Sequence, residues 1–223
     1  IRDVGPRDGL QSEAPVAPAR RAALAVALAD AGLRQIEAVS FVSPKAVPSM
    51  AGADAVVSAL PRRDAVTWWA LVPNAKGAER AVNSGVDEIV ALTCTDVDVT
   101  MIDQRRTHPQ MWDELDEIFQ VSGGIPVTVA IVMSFFAYGS GLVSDEKLDA
   151  FIDRLVAAGA TSIYVADSAG LADPRQVYDA LIRIRHNHPD LAIGVHLHTR
   201  GGFALANTMS ALLAGVDWVE GAF

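Results

Sequence analysis

The chain has 223 residues, 51% of them hydrophobic, and a formal net charge of −9 at pH 7. That is enough apolar material to bury a sizeable core as one domain, and the acidic balance argues against a nucleic-acid partner. Its one cysteine, Cys94, excludes an internal disulfide, and no apolar run approaches the ~20 residues that span a bilayer. The expectation is a cytoplasmic protein with no membrane partner and no signal peptide.

Ile1 to Val4 reads as a first strand that runs into Gly5-Pro6-Arg7-Asp8-Gly9-Leu10-Gln11. Pro18 to Ala31 has apolar residues at helical spacing, and Gly32 stops it. Gln35 to Phe41 is the second strand. A helix around Gly52 to Leu60 leads to the third strand, Ala65 to Val72. Ala75 to Asn83 is helical up to Gly85, and Glu88 to Thr93 is the fourth strand, delivering Cys94, Thr95 and Asp96 at its end. Arg105 to Gln120 reads as a longer helix and Ile125 to Met133 as the fifth strand.

Ser144 has the look of an N-cap for a helix from Lys147 to Ala158, ended by Gly159. Ser162 to Ala166 is the sixth strand. Asp173-Pro174 opens the next helix with proline at its favoured first position. Leu191 to Leu197 is the seventh strand, Phe203 to Ala214 the seventh helix and Val216 to Gly221 the eighth strand. Strands alternating with helices predict an α/β fold, a (β/α)₈ TIM barrel rather than a doubly wound sheet, because no glycine-rich dinucleotide loop follows the first strand. The expectation is one barrel domain over 1–223, stopping after its eighth strand without the last helix and C-terminal extension.

In such a barrel Asp8, Glu37, Asp96, Asp167, His196 and His198 fall at or near the C-terminal ends of strands, where barrel enzymes carry their chemistry. Arg7 beside Asp8 suits a cation bound together with an anionic oxygen, although a turn with a surface ion pair fits those residues too. His196 and His198 alternate along a strand and so share a face. Two imidazoles at that spacing, with a carboxylate from the first strand, point to a divalent ion with mixed nitrogen and oxygen ligands.

The segments Gly5 to Gln11 and Glu37 to Lys45, with His196-Leu197-His198 and Ala204-Leu205-Ala206-Asn207, resemble the 3-hydroxy-3-methylglutaryl-CoA lyase family. The resemblance covers nearly the whole chain. It implies cleavage of an acyl-CoA substrate, a 3-hydroxyacyl-CoA, to acetyl-CoA and a keto acid. It also implies a divalent cation, Mg²⁺ or Mn²⁺, on Asp8, His196 and His198. Arg7 would stabilise the enolate, His196 would double as a proton-transfer group, and Glu37 would hold Arg7 or a ligand in place. Gln11, Asp96, Asp167 and Ser168 would lie along the substrate, and a homo-oligomer is expected; Arg200, outside the shared motifs, suits an anionic substrate group although an exposed arginine fits it too.

The chain departs from the family after His198, where Thr199-Arg200-Gly201-Gly202 replaces Asp-Thr-Tyr-Gly, so the acyl group is open. Lys45, Arg105, Arg106 and Arg200 could form a basic rim for a polyanion, although each also reads as solvated surface. Cys94 is expected to be a buried small apolar residue, and His108, His186 and His188 carry no functional signal. The family's loop with a catalytic cysteine, and an asparagine ligand, are expected beyond Phe223. The 223 residues alone are therefore expected to bind metal weakly, with little activity, and to leave Val216, Trp218, Val219 and Phe223 exposed on one side. The alternatives are a related aldolase or Claisen-type condensing enzyme on another keto acid, or a catalytically silent acyl-CoA-binding barrel.

Overall fold

The computed structural model describes residues 1–103 and 106–222, so the expectations placed on Arg105 and Phe223 lie outside the described residues. The chain opens with β1 (Arg2–Asp3), α1 (Pro18–Asp30), β2 (Gln35–Ser40), α2 (Ala53–Ala59), β3 (Thr67–Val72), α3 (Ala75–Ser84) and β4 (Glu88–Cys94). It continues through α4 (Val97–Asp103), α5 (His108–Val121), β5 (Val127–Val132) and a hairpin of β6 (Phe136–Ala137) and β7 (Gly141–Leu142). It ends with α6 (Asp145–Ala157), β8 (Ser162–Asp167), α7 (Pro174–Asn187), β9 (Ala192–Leu197), α8 (Ala204–Leu213) and β10 (Trp218–Gly221). Eight parallel strands close into a barrel in the order β1-β10-β9-β8-β5-β4-β3-β2, a TIM barrel. Parallel order turns every strand's C-terminal end the same way.

The chain divides into two compact units. The first comprises Ile1–Ala91, Glu117–Val127 and the residues from Glu220 on. Within it β2 pairs with β1 and β3, and β3 with β4. Ile36, Val39, Ala70, Ile89, Val90 and Ala91 are fully buried, as strands covered on both faces require. The β2–β3 register shifts between Glu37 and Val39, a bulge that interrupts the even alternation of the strand beside Glu37. Glu37 is thus the third residue of a six-residue strand, farther from its C-terminal end than the sequence reading placed it.

The second unit comprises Leu92–Asp116 and Thr128–Val219. Here β8 pairs with β5 and β9, and the start of β10 with β9. Gly194 in β9 leaves room for an indole, since a Cβ there would sit 2.0 Å from the Trp218 ring. The helix signals hold. Ser144 Oγ accepts the Lys147 N–H at 3.2 Å. Asp173 Oδ1 accepts the N–H groups of Arg175 and Gln176 at 2.8 and 2.9 Å, and Gln176 accepts from Asp173 N–H in return, a capping box ahead of Pro174. Val216, Trp218 and Val219 are half-buried.

Three pieces were not anticipated: a π-helical turn at Gly5–Gly9, the short helix α4, and the hairpin β6–β7. The helix expected from Arg105 has its described start at His108.

Candidate active site

In the first unit, Val4 N–H donates to Gly221 O at 2.8 Å as the chain leaves β1. Gly5–Gly9 then makes one wide turn, with the N–H groups of Arg7, Asp8 and Gly9 all directed at Val4 O, at 3.2, 2.6 and 3.3 Å. Pro6 suits its start, where an N–H would have no partner. Asp3 Oδ1 accepts the Gly5 N–H at 2.9 Å, and burial pushes the Asp3 carboxyl above its usual range against that hydrogen bond.

The turn presents consecutive side chains together. Arg7 Nε and Nη2 both donate to Glu37 Oε2 at 2.7 Å, and Nη1 donates to Asp8 Oδ1 at 2.7 Å. Arg7 is 5% exposed and Glu37 1%, so this is no surface ion pair; burial at this depth requires the guanidinium to be matched by carboxylates. Asp8 is half-buried, while Gln11 is exposed and contributes its backbone, its carbonyl accepting from Ser49 Oγ.

In the second unit, His196 and His198 come together as their alternation predicts, with Nε2 atoms 3.0 Å apart. His198 lies past the end of β9, and its Nδ1 sits 3.0 Å from Ser168 O. A carbonyl only accepts, so Nδ1 carries the proton, and the tautomer this selects has its lone pair at Nε2. Tyr164 stacks on His196, ring centres 5.8 Å apart, a packing partner with no signal in the sequence beyond an aromatic in a strand.

Other expected site residues are committed to the backbone. Asp167 Oδ1 and Oδ2 accept the N–H groups of Leu171 and Ala172 at 3.1 and 3.0 Å, and Ser168 Oγ accepts Met133 N–H at 3.2 Å. Asp96 accepts from Asp98, Val99 and Gly139. Burial would raise the Asp96 carboxyl, but those three N–H groups and the charge of Lys147 together hold it below its usual range. Arg200 is exposed beside Gly170, and Arg106 pairs with Glu114 at 3.1 Å. Cys94 is fully buried against Val99 and Met133, as expected of an apolar packing residue. His108 is half-buried, its imidazole pushed below the usual range by burial and by Lys147. His188 caps α7 and lies 3.0 Å from Asp153.

The family described as HMGL-like matches the chain over residues 1–223. Hydroxymethylglutaryl-CoA lyase of Rattus norvegicus, a mitochondrial protein, is 34% identical over 99% of this chain and 69% of its own length. The (R)-citramalyl-CoA lyase of Chloroflexus aurantiacus is 34% identical over 97% of this chain and 72% of its own length. The solved structure of an HMG-CoA lyase from Acinetobacter baumannii with coenzyme A and 3-methylmalate superposes with a TM-score of 0.94 at 27% identity. That match covers all of this chain and 73% of the other. The matches in sequence and in backbone agree with the R-D-G-L-Q and H-L-H segments and the barrel that carries them: the chain belongs to the HMGL-like family, a family of carbon–carbon lyases.

Proposed function

We propose that the chain cleaves a 3-hydroxyacyl-CoA to acetyl-CoA and a keto acid, with one divalent cation, Mg²⁺ or Mn²⁺, on Asp8, His196 and His198. The observation that carries the reading is the histidine pair, with Nε2 atoms of His196 and His198 3.0 Å apart; Asp8 is added as the carboxylate that the R-D-G-L-Q segment supplies. The chemistry of the donors fits a cation. Two Nε2 lone pairs 3.0 Å apart repel unless one nitrogen is protonated or both face a positive charge. His198 also gives its other ring N–H to a backbone carbonyl, the usual arrangement of a metal-binding histidine. When bound, the ion polarises substrate oxygens and lowers the pKa of the hydroxyl.

This chain's residues supply the rest. As water takes the hydroxyl proton the carbon–carbon bond breaks, the hydroxyl carbon becomes the carbonyl of the keto acid, and the electron pair moves into the thioester as an enolate, which takes a proton from water to give acetyl-CoA. Arg7 faces that developing charge with an orientation set by Glu37 and Asp8. A lone pair given to the ion cannot also take a proton, so we keep the ligand role for His196. Asp167, Ser168 and Asp96 shape the loops around the substrate through backbone hydrogen bonds, leaving Arg200 and Gln11 as exposed groups for its anionic parts.

Two relatives support the acyl-CoA class, being named for hydroxymethylglutaryl-CoA and (R)-citramalyl-CoA. The test is acetyl-CoA release from each thioester with Mg²⁺ or Mn²⁺ and after chelation. Metal-dependent release from at least one is expected. Condensation with 2-oxo acids in place of cleavage would favour the condensing-enzyme reading, and metal binding with no turnover at all would favour a silent acyl-CoA-binding barrel.

A further inference from the structure

The A-L-A-N segment, Ala204 to Asn207, has no part in the function proposed above. Asn207 lies in the first half of α8 with its side chain 1% exposed. Its Nδ2 donates to Ala172 O at 2.8 Å, while its Oδ1 is buried with no hydrogen-bond partner. An apolar side chain of the same size would pack there without an unsatisfied acceptor, so the amide is explained by what its donor holds.

Ala172 ends the loop that follows β8, and that loop is fastened along its length. Besides the two bonds to the Asp167 carboxylate, Gly170 N–H donates to Asp167 O at 3.0 Å, and Gly201 N–H donates to Gly170 O at 2.7 Å. Gly170 has φ +65°, and a Cβ on it would lie 2.7 Å from Arg200 N, so the two backbones touch with no slack. The carbonyl of Ser168 in this loop is the acceptor for His198 Nδ1. His198 is exposed and stands beyond the strand, so its ring angle depends on that contact.

We infer that Asn207 is a positioning residue for His198: through Ala172 it holds the loop whose Ser168 carbonyl fixes the imidazole with Nε2 turned toward the cation. This rests on the metal reading proposed above. The experiment is Mn²⁺ titration of the wild type, Asn207→Ala and Asn207→Leu, with Thr208→Ala on the same helix as control and thermal unfolding alongside. Leucine keeps the volume and removes the donor. Both Asn207 variants are expected to bind Mn²⁺ about tenfold more weakly, as loss of outer hydrogen bonds to a ligand does, with Thr208→Ala unchanged. Their ¹⁵N spectra should show His198 shifting from one Nδ1–H tautomer to a mixture, whatever happens to the melting temperature. Wild-type affinity and tautomer in Asn207→Leu would overturn this inference alone. A wild type that binds no Mn²⁺ would overturn the metal reading and this inference with it.

Discussion

Arg7, 5% exposed and donating to Glu37 and Asp8, joins the carboxylate that follows it in the turn to one on β2. Its planar fork can hold both and still face a substrate oxygen, which a lysine could not do. Arg7→Gln is expected to lower kcat by about 10²-fold, the usual effect of losing one oxyanion donor. Mn²⁺ affinity should fall by about tenfold at most, since arginine is no ligand and acts on the ion only through its hydrogen bond to Asp8 Oδ1; steady-state kinetics beside a Mn²⁺ titration measures the two separately. Loss of metal binding with normal turnover per bound ion would contradict the role. At this scale the sequence was informative wherever the chemistry lies in a side chain: the histidine pair follows from strand alternation and Asp8 from its place after β1. It was silent where the chemistry lies in the backbone. The Ser168 carbonyl that orients His198 is an atom every residue has, and the peptide N–H groups that occupy Asp96 and Asp167 leave no mark in composition.

Among elements, the long ones were legible and the short ones were not. Ser144 and Asp173 announce α6 and α7 because a cap needs a particular side chain at a particular spacing. In α4, by contrast, Val97 to Val99 alternates apolar and polar residues as a strand would, and the helix forms on the Asp96 carboxylate that caps it. The β6–β7 hairpin has two residues per strand, too few to show any period. The π-helical turn depends on three N–H groups sharing Val4 O, which no pattern of side chains encodes. The α4 cap has a pH consequence. The folded-state pKa of Asp96 is depressed, so its carboxylate contributes stability above its unfolded pKa and loses it as pH falls through the folded value. Asp96→Asn should therefore be destabilised at neutral pH, by an amount that shrinks as the solution is acidified. Denaturant unfolding across acid pH measures it, and a gap that stays constant would show that the charge is not what holds the helix.

For the whole molecule, alternation of apolar strands with capped helices was enough to reach a parallel barrel, because strands buried on both faces and helices with one buried stripe leave few other arrangements. The parallel order in turn brings residues far apart in sequence to the C-terminal ends of strands: Asp8 follows β1, Asp96 follows β4, Asp167 ends β8 and His196 stands near the end of β9. Among the described residues no helix is long and apolar enough to cross a membrane. What composition could not convey is selectivity. A net charge of −9 says nothing of how a polyanionic thioester is held, and Thr199 to Gly202 alter the segment after the histidines. The central claim is that Asp8, His196 and His198 share one divalent ion. Titration of Mn²⁺ into the wild type, Asp8→Asn and His198→Ala, followed by the loss of the free-ion paramagnetic resonance signal, tests it most directly. The account predicts one ion per chain in the wild type and affinity at least about tenfold weaker in either variant. A His198→Ala protein that binds Mn²⁺ as tightly as the wild type would contradict it.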